Sequence, residues 1–110
     1  MATAVLNISA NWADDAAALR VEENAAIRAL LGDAAGIAGG ELAARLGAAA
    51  ISVDPGLRIS ELDRENHRLR VLLIEAQAWL EARQDEASRA LDRRIWCQLE
   101  AIEMNRAPRE

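Results

Sequence analysis

Residues 60–80 read S-E-L-D-R-E-N-H-R-L-R-V-L-L-I-E-A-Q-A-W-L, and Leu62, Leu69, Leu73, Ala76 and Leu80 recur there at helical spacings of three, four and seven. Asn66 is the one polar residue in the series. A line of this period lies on one side of a helix and leaves water against a second one, each fully buried Leu contributing roughly 1.5–3 kcal/mol. The fold expected is therefore all-α, made of helical hairpins that share a heptad-like seam. One copy has little left to cover that seam together with Leu72, Ile74 and Trp79 on the flanking faces. The simplest solution is a four-helix bundle formed within a homodimer, with Leu62, Asn66, Leu69, Leu73, Ala76 and Leu80 as the oligomer seam. Across such a dimer Asn66 hydrogen-bonds its symmetry mate and sets the register; at the seam's edge it is half-exposed instead.

Downstream, neither Gly nor Pro occurs from Ser60 to Ala107, so local signals permit one helix of about 47 residues, roughly 70 Å long. Periodicity favours a break. Leu91, Ile95, Leu99 and Ile102 miss the extended seam, while residues 83–89, R-Q-D-E-A-S-R, place polar groups on it. A turn near Gln84-Asp85, with Asp85 capping the next helix, folds that second apolar line back as an αα-hairpin. At the upstream end, Ser60 with Asp63 resembles a capping box, and Asp54-Pro55 is a rival start.

The first half is less strongly written. Residues 1–11 have no helical period and read as a flexible arm, in which Val5, Leu6 and Ile8 are the adhesive groups. A helix is expected from Trp12 with Asn11 as N-cap, its apolar face Ala17, Val21, Asn24, Ile27, Leu31 and Ala34, weakened at Gly32 and stopped by Gly36 and Gly39-Gly40. A short helix over residues 41–50 has Leu42 and Leu46 as its bulky anchors, and Ser52-Val53-Asp54-Pro55-Gly56 divides the halves. The domain expected spans 12–106, with a tail over 107–110.

Glu23-Asn24-Ala25-Ala26-Ile27-Arg28-Ala29-Leu30-Leu31 and Glu65-Asn66-His67-Arg68-Leu69-Arg70-Val71-Leu72-Leu73 share the pattern E-N-x-x-[I/L]-R-x-L-L, 42 residues apart. Two uses of one helical hairpin, 12–51 and 57–106, account for it, each covering the other's apolar face. Ordinary similarity among Leu/Arg/Glu-rich helices accounts for it as well.

Composition supports helices and excludes several functions. The chain has 110 residues, 25 of them Ala, with no Phe or Tyr, so one small helical domain is expected. All 13 basic residues are Arg, which reads first as the codon habit expected of a GC-rich, bacterial genome rather than as chemistry. The net charge of −5 argues against general nucleic-acid or anionic-membrane binding. Most of that charge lies in residues 1–55, with seven acids against three Arg; residues 56–110 hold eleven against ten. A single cysteine, no basic leader in the first 19 residues and no long apolar run lead to the expectation of a cytoplasmic protein.

Candidate chemistry is sparse. His67 is the only histidine, so no metal site is expected, and Cys97 beside Ile95, Trp96 and Leu99 reads as a buried, inert thiol. The glycines follow a helix, unlike a phosphate loop, and the many Glu stand at salt-bridge spacings from Arg. No catalytic residue and no cofactor is expected. Trp79, Trp96 and Met104 are the candidate partner contacts, because Trp96 and Met104 point off the Leu91–Ile102 line and large rings anchor interfaces. The function expected is a non-enzymatic accessory protein that self-associates and docks on a larger assembly. Two rivals are a DNA-associated regulator using Arg64, Arg68 and Arg70, and a bundle holding a small apolar ligand near Trp79 and Trp96.

Overall fold

The computed structural model describes the backbone of residues 2–106 and the side chains of residues 15–106. Four helices, α1 (Ala2–Ile37), α2 (Gly40–Ala50), α3 (Ile59–Arg83) and α4 (Glu86–Arg106), form an all-α bundle, with no strand among the described residues. The composition accounts for this, since Ala, Leu, Arg and Glu lose little on entering a helix and β-branched residues are few.

Residues 2–11 are helical, so the expected arm is the first three turns of α1, and Asn11 lies inside that helix instead of capping it. Three Ala and a Leu, with no Gly or Pro, leave nothing there to stop the helix. The side chains of Val5, Leu6, Ile8 and Trp12, and the tail 107–110, lie outside the described residues. Gly32 and Gly36 do not end α1 either. A glycine inside a helix costs about 1 kcal/mol relative to Ala, and here tertiary packing overrides it. A Cβ built on Gly32 would stand 3.5 Å from the Ala50 Cβ, and one on Gly47 would stand 3.9 Å from that of Ala35, so α1 and α2 meet through small residues. The chain reverses at Ala38-Gly39, and Gly40 has φ +62°, where a side chain is strained.

The hairpin predicted near residue 84 is present. Gln84 adopts the left-handed conformation at φ 59°, and Asp85 Oδ1 accepts the Ser88 backbone N–H at 2.8 Å, capping α4. The start of α3 differs from expectation. Arg58 occupies its N-cap without a side-chain bond, and Asp63 pairs with Arg20 and Arg106 rather than closing a box with Ser60. Two guanidinium partners outbid a backbone N–H for that carboxylate.

Cross-links give the topology. Arg20 meets Asp63 and Asn24 meets Asn66, so α1 and α3 run in the same direction. Arg45 with Glu75 and Ser52 with Arg68 set α2 antiparallel to α3; Gln77 with Asp92 and Arg70 with Glu103 set α4 antiparallel to α3, as Asp33 with Arg94 and Glu23 with Arg106 do to α1. The helices α2 and α4 do not touch, and each fills a groove on its own side of the α1/α3 pair. The core between them comprises Ile27, Leu31 and Ala34 of α1, Leu46 of α2, Leu69, Leu73 and Leu80 of α3, and Leu91, Ile95 and Ile102 of α4.

All six residues expected at a seam between copies, Leu62, Asn66, Leu69, Leu73, Ala76 and Leu80, are between 0 and 3% exposed within one chain. The supposition that one copy could not cover them is therefore corrected. The first helix, longer and better matched than its weak pattern suggests, supplies the missing apolar face. A heptad line requires a second helix and is indifferent to whether that helix belongs to the same molecule.

Candidate functional site

The polar groups of the interior converge where the two E-N-x-x-[I/L]-R-x-L-L segments meet. Asn66 Nδ2 donates to Asn24 Oδ1 at 2.9 Å, both side chains being buried. The pair links equivalent positions of the two segments, 42 residues apart, and replaces the bond between copies that the seam suggested. Asn24 Nδ2 in turn donates to Asp54 Oδ1 at 3.0 Å and to the Leu62 carbonyl at 3.3 Å. A buried amide without partners is costly, and this one has three.

An arginine closes the cluster from the side. Arg28 Nη2 donates to Asp54 Oδ1 at 2.9 Å and to Glu65 Oε2 at 3.2 Å, and its Nε donates to Ser52 Oγ at 3.2 Å. Glu65 also accepts from Arg68 Nε, and that bond holds the Arg68 guanidinium above its ordinary pKa. Ser52 Oγ donates to the Ala49 carbonyl at 2.6 Å and accepts from Arg28 of α1 and Arg68 of α3, each at 3.2 Å, so the loop after α2 is tied to both central helices. A second cluster joins the start of α3 and the end of α4 to the middle of α1: Arg106 Nη2 donates to the buried Glu23 at 2.8 Å, and Asp63 receives Arg20 at 2.7 Å and Arg106 at 3.4 Å. The Glu23 bond is the main cause that raises the Arg106 pKa.

These arrangements suit structure better than chemistry. Each buried carboxylate is held by a guanidinium, and no histidine or thiol stands among them, so neither a nucleophile with its base nor an uneven pair of acids is assembled. Among the described residues no three His, Cys, Asp or Glu side chains converge to hold a metal ion. His67 is exposed, and so is Cys97, against the expectation of a buried thiol. It lies two residues past the buried Ile95, about 200° further round α4.

The expected partner contacts separate. Trp96 and Met104 are 53% and 78% exposed, whereas Trp79 packs partly buried against the core, with the Arg83 guanidinium 4.8 Å from its ring centroid. Val71 and Ile74, 51% and 57% exposed, join them as uncovered apolar groups on α3. The Arg64/Arg68/Arg70 set does not form one basic surface: Arg68 turns toward Glu65 and the α2 side, and Arg70 turns toward Glu103 of α4 at 3.8 Å. Open grooves of about 680 Å³ between α2 and α3, around Ala48, His67, Val71 and Leu72, and about 630 Å³ between α1 and α4, around Ala29, Leu30 and Ala90, are lined by neither Trp79 nor Trp96.

Arg28 and Asp54, the hub of the interior cluster, are not among the candidate site residues of the sequence reading. Asp54 reads as turn punctuation before Pro55, and only the matching Arg in the repeat marks Arg28. No protein-family model, curated protein or solved structure matches this chain. Among the described residues no helix is long and apolar enough to cross a membrane.

Proposed function

We propose that this chain is a non-enzymatic helical interaction protein that associates with a second copy of itself and serves as an accessory subunit of a larger cytoplasmic assembly. One observation carries the reading: bulky apolar side chains, Val71, Ile74, Trp96 and Met104, are left on the outside, each more than half exposed. In a small domain with few large side chains, apolar groups left in water favour an interface. The guanidinium-locked carboxylates supply no acid or base, which favours binding over turnover. Light scattering during size exclusion tests it. The expected mass exceeds the 11.9 kDa of one chain and rises with concentration; a constant single-chain mass would overturn the self-association.

A further inference from the structure

From that reading of self-association, we infer that two copies meet through the outer face of α3, packed antiparallel about a two-fold axis between residues 72 and 73. The face opposite the buried seam has a period of its own. Arg64, His67, Val71, Ile74, Ala78 and Glu81 follow one another at spacings of three and four, and all six are exposed. This second line is apolar in the middle and oppositely charged at its ends. Neither Arg64 nor Glu81 makes an ion pair among the described residues, although most of the Arg on α3 and α4 have one.

Self-complementarity identifies the occupant. In an antiparallel pair centred between residues 72 and 73, Val71 of one copy faces Ile74 of the other, His67 faces Ala78, and Arg64 faces Glu81, each contact occurring twice. A parallel pair would instead set Arg64 against Arg64 and Glu81 against Glu81. The neighbouring helix extends the apolar centre. Gln77–Asp92 and Arg70–Glu103 cross-link α3 to α4 on either side of Ile74 and Trp96, which brings the exposed indole to the Ile74 flank of the stripe. The stripe runs for only about 26 Å of helix, so the dimer is expected to be weak and concentration-dependent.

Sedimentation equilibrium of the full chain and its variants, with circular dichroism and thermal melting beside it, tests the inference. Ile74→Glu is expected to abolish the dimer and to leave helix content, and melting at dilutions where the wild type is monomeric, unchanged, because the side chain lies outside the core. Arg64→Glu and Glu81→Arg are each expected to weaken dimerisation roughly tenfold, the scale of two exposed pairs turned from attraction to repulsion, and the double exchange is expected to restore it. A wild-type dimer that is indifferent to Ile74→Glu, or a double exchange no better than the singles, overturns this face while leaving self-association standing. A wild-type monomer at every concentration overturns both, the stripe then belonging to a foreign protein or to none. A monomer whose Ile74→Glu variant melts early shows that the chain itself covers the stripe, and also overturns the inference.

Discussion

The two E-N-x-x-[I/L]-R-x-L-L segments occupy equivalent places in the core and unequal places in the polar network. Asn24 and Asn66 pair with one another, and Ile27 and Leu31 match Leu69 and Leu73 in complete burial. Their charged residues diverge: Arg28 reaches across to Asp54 and Glu65, while its counterpart Arg70 makes one long pair with the exposed Glu103. Glu65 is held by Arg28 and Arg68, but Glu23 is held by Arg106 from the far end of the chain. Apolar burial needs only volume and shape, so it tolerates equivalence. Ion pairs depend on what the flanking segment supplies, and for Arg28 that is the Asp54 carboxylate of the loop after α2.

The largest expected effect tests the equivalence itself. Ile27→Ala and Leu69→Ala should each lower stability by about 2–5 kcal/mol, the range for deleting a fully buried branched side chain. Urea unfolding of both variants measures it. A near-neutral result at one site alone would place that segment off the core.

Next comes the divergence. Arg28→Ala leaves Asp54 and Glu65 largely buried without their shared guanidinium and should cost about 2–3 kcal/mol. Arg70→Ala removes an exposed pair and should cost roughly 0–1 kcal/mol. Equal losses in chemical unfolding would contradict the asymmetry.

The shared asparagine pair lies between these cases. Asn66→Val strands the Asn24 carbonyl oxygen and should cost about 1–3 kcal/mol of folding stability, with no change of oligomer state, since the bond lies within one chain. Adding Asn24→Val should cost less than the sum of the two single changes, because two apolar groups strand no partner at that contact. Strict additivity in a double-mutant cycle would mean that the amides act separately. The residual cost of the double variant then reports the bonds from Asn24 to Asp54 and to the Leu62 carbonyl.

Much of the fold is legible in residue order, and the illegible part has a physical cause. The α3–α4 hairpin agrees with an apolar line, Leu91 to Ile102, that leaves the heptad of α3, although a straight helix would bring Leu91 back beneath Leu73, and Asp85 marks the cap that joins the two helices. Helix α1 is harder to read because Ala-rich turns fold by propensity with little period, and because Gly32 acts in close packing against α2 rather than as a break. The heptad line of α3 shows that Leu69 and Leu73 are covered, and period alone is silent on whose helix covers them. Of the candidate contacts, the exposure of Trp96 and Met104 follows from their angle to Ile95 and Ile102, whereas the Arg28–Asp54 clasp depends on a loop path that no local rule specifies.

The two hairpin tips give the smallest effect and a further contrast between the halves. The α1–α2 tip turns on glycines, and Gly39 stands at the N-cap of α2, which has no side-chain cap. At the α3–α4 tip, the hydrogen bond from Arg83, then the Ser88 backbone N–H, lower the Asp85 pKa from the ordinary carboxylate value to about 2. A carboxyl whose pKa is depressed by folding stabilises the fold fully above the ordinary value near 3.8, and that contribution disappears as pH falls through about 2. Acidification should therefore loosen the first turn of α4 between about pH 4 and pH 2, while the glycine tip, which has no carboxylate cap, keeps its turn through the Asp85 titration. Carboxyl chemical shifts followed by NMR measure this directly. Asp85→Asn retains a cap oxygen for the Ser88 N–H but carries no titrating charge, so the acid-induced change at α4 should vanish in that variant. An Asp85 that titrates near the ordinary carboxylate value would mean that neither Arg83 nor the Ser88 N–H holds it in solution, and the two tips would then differ only in backbone conformation.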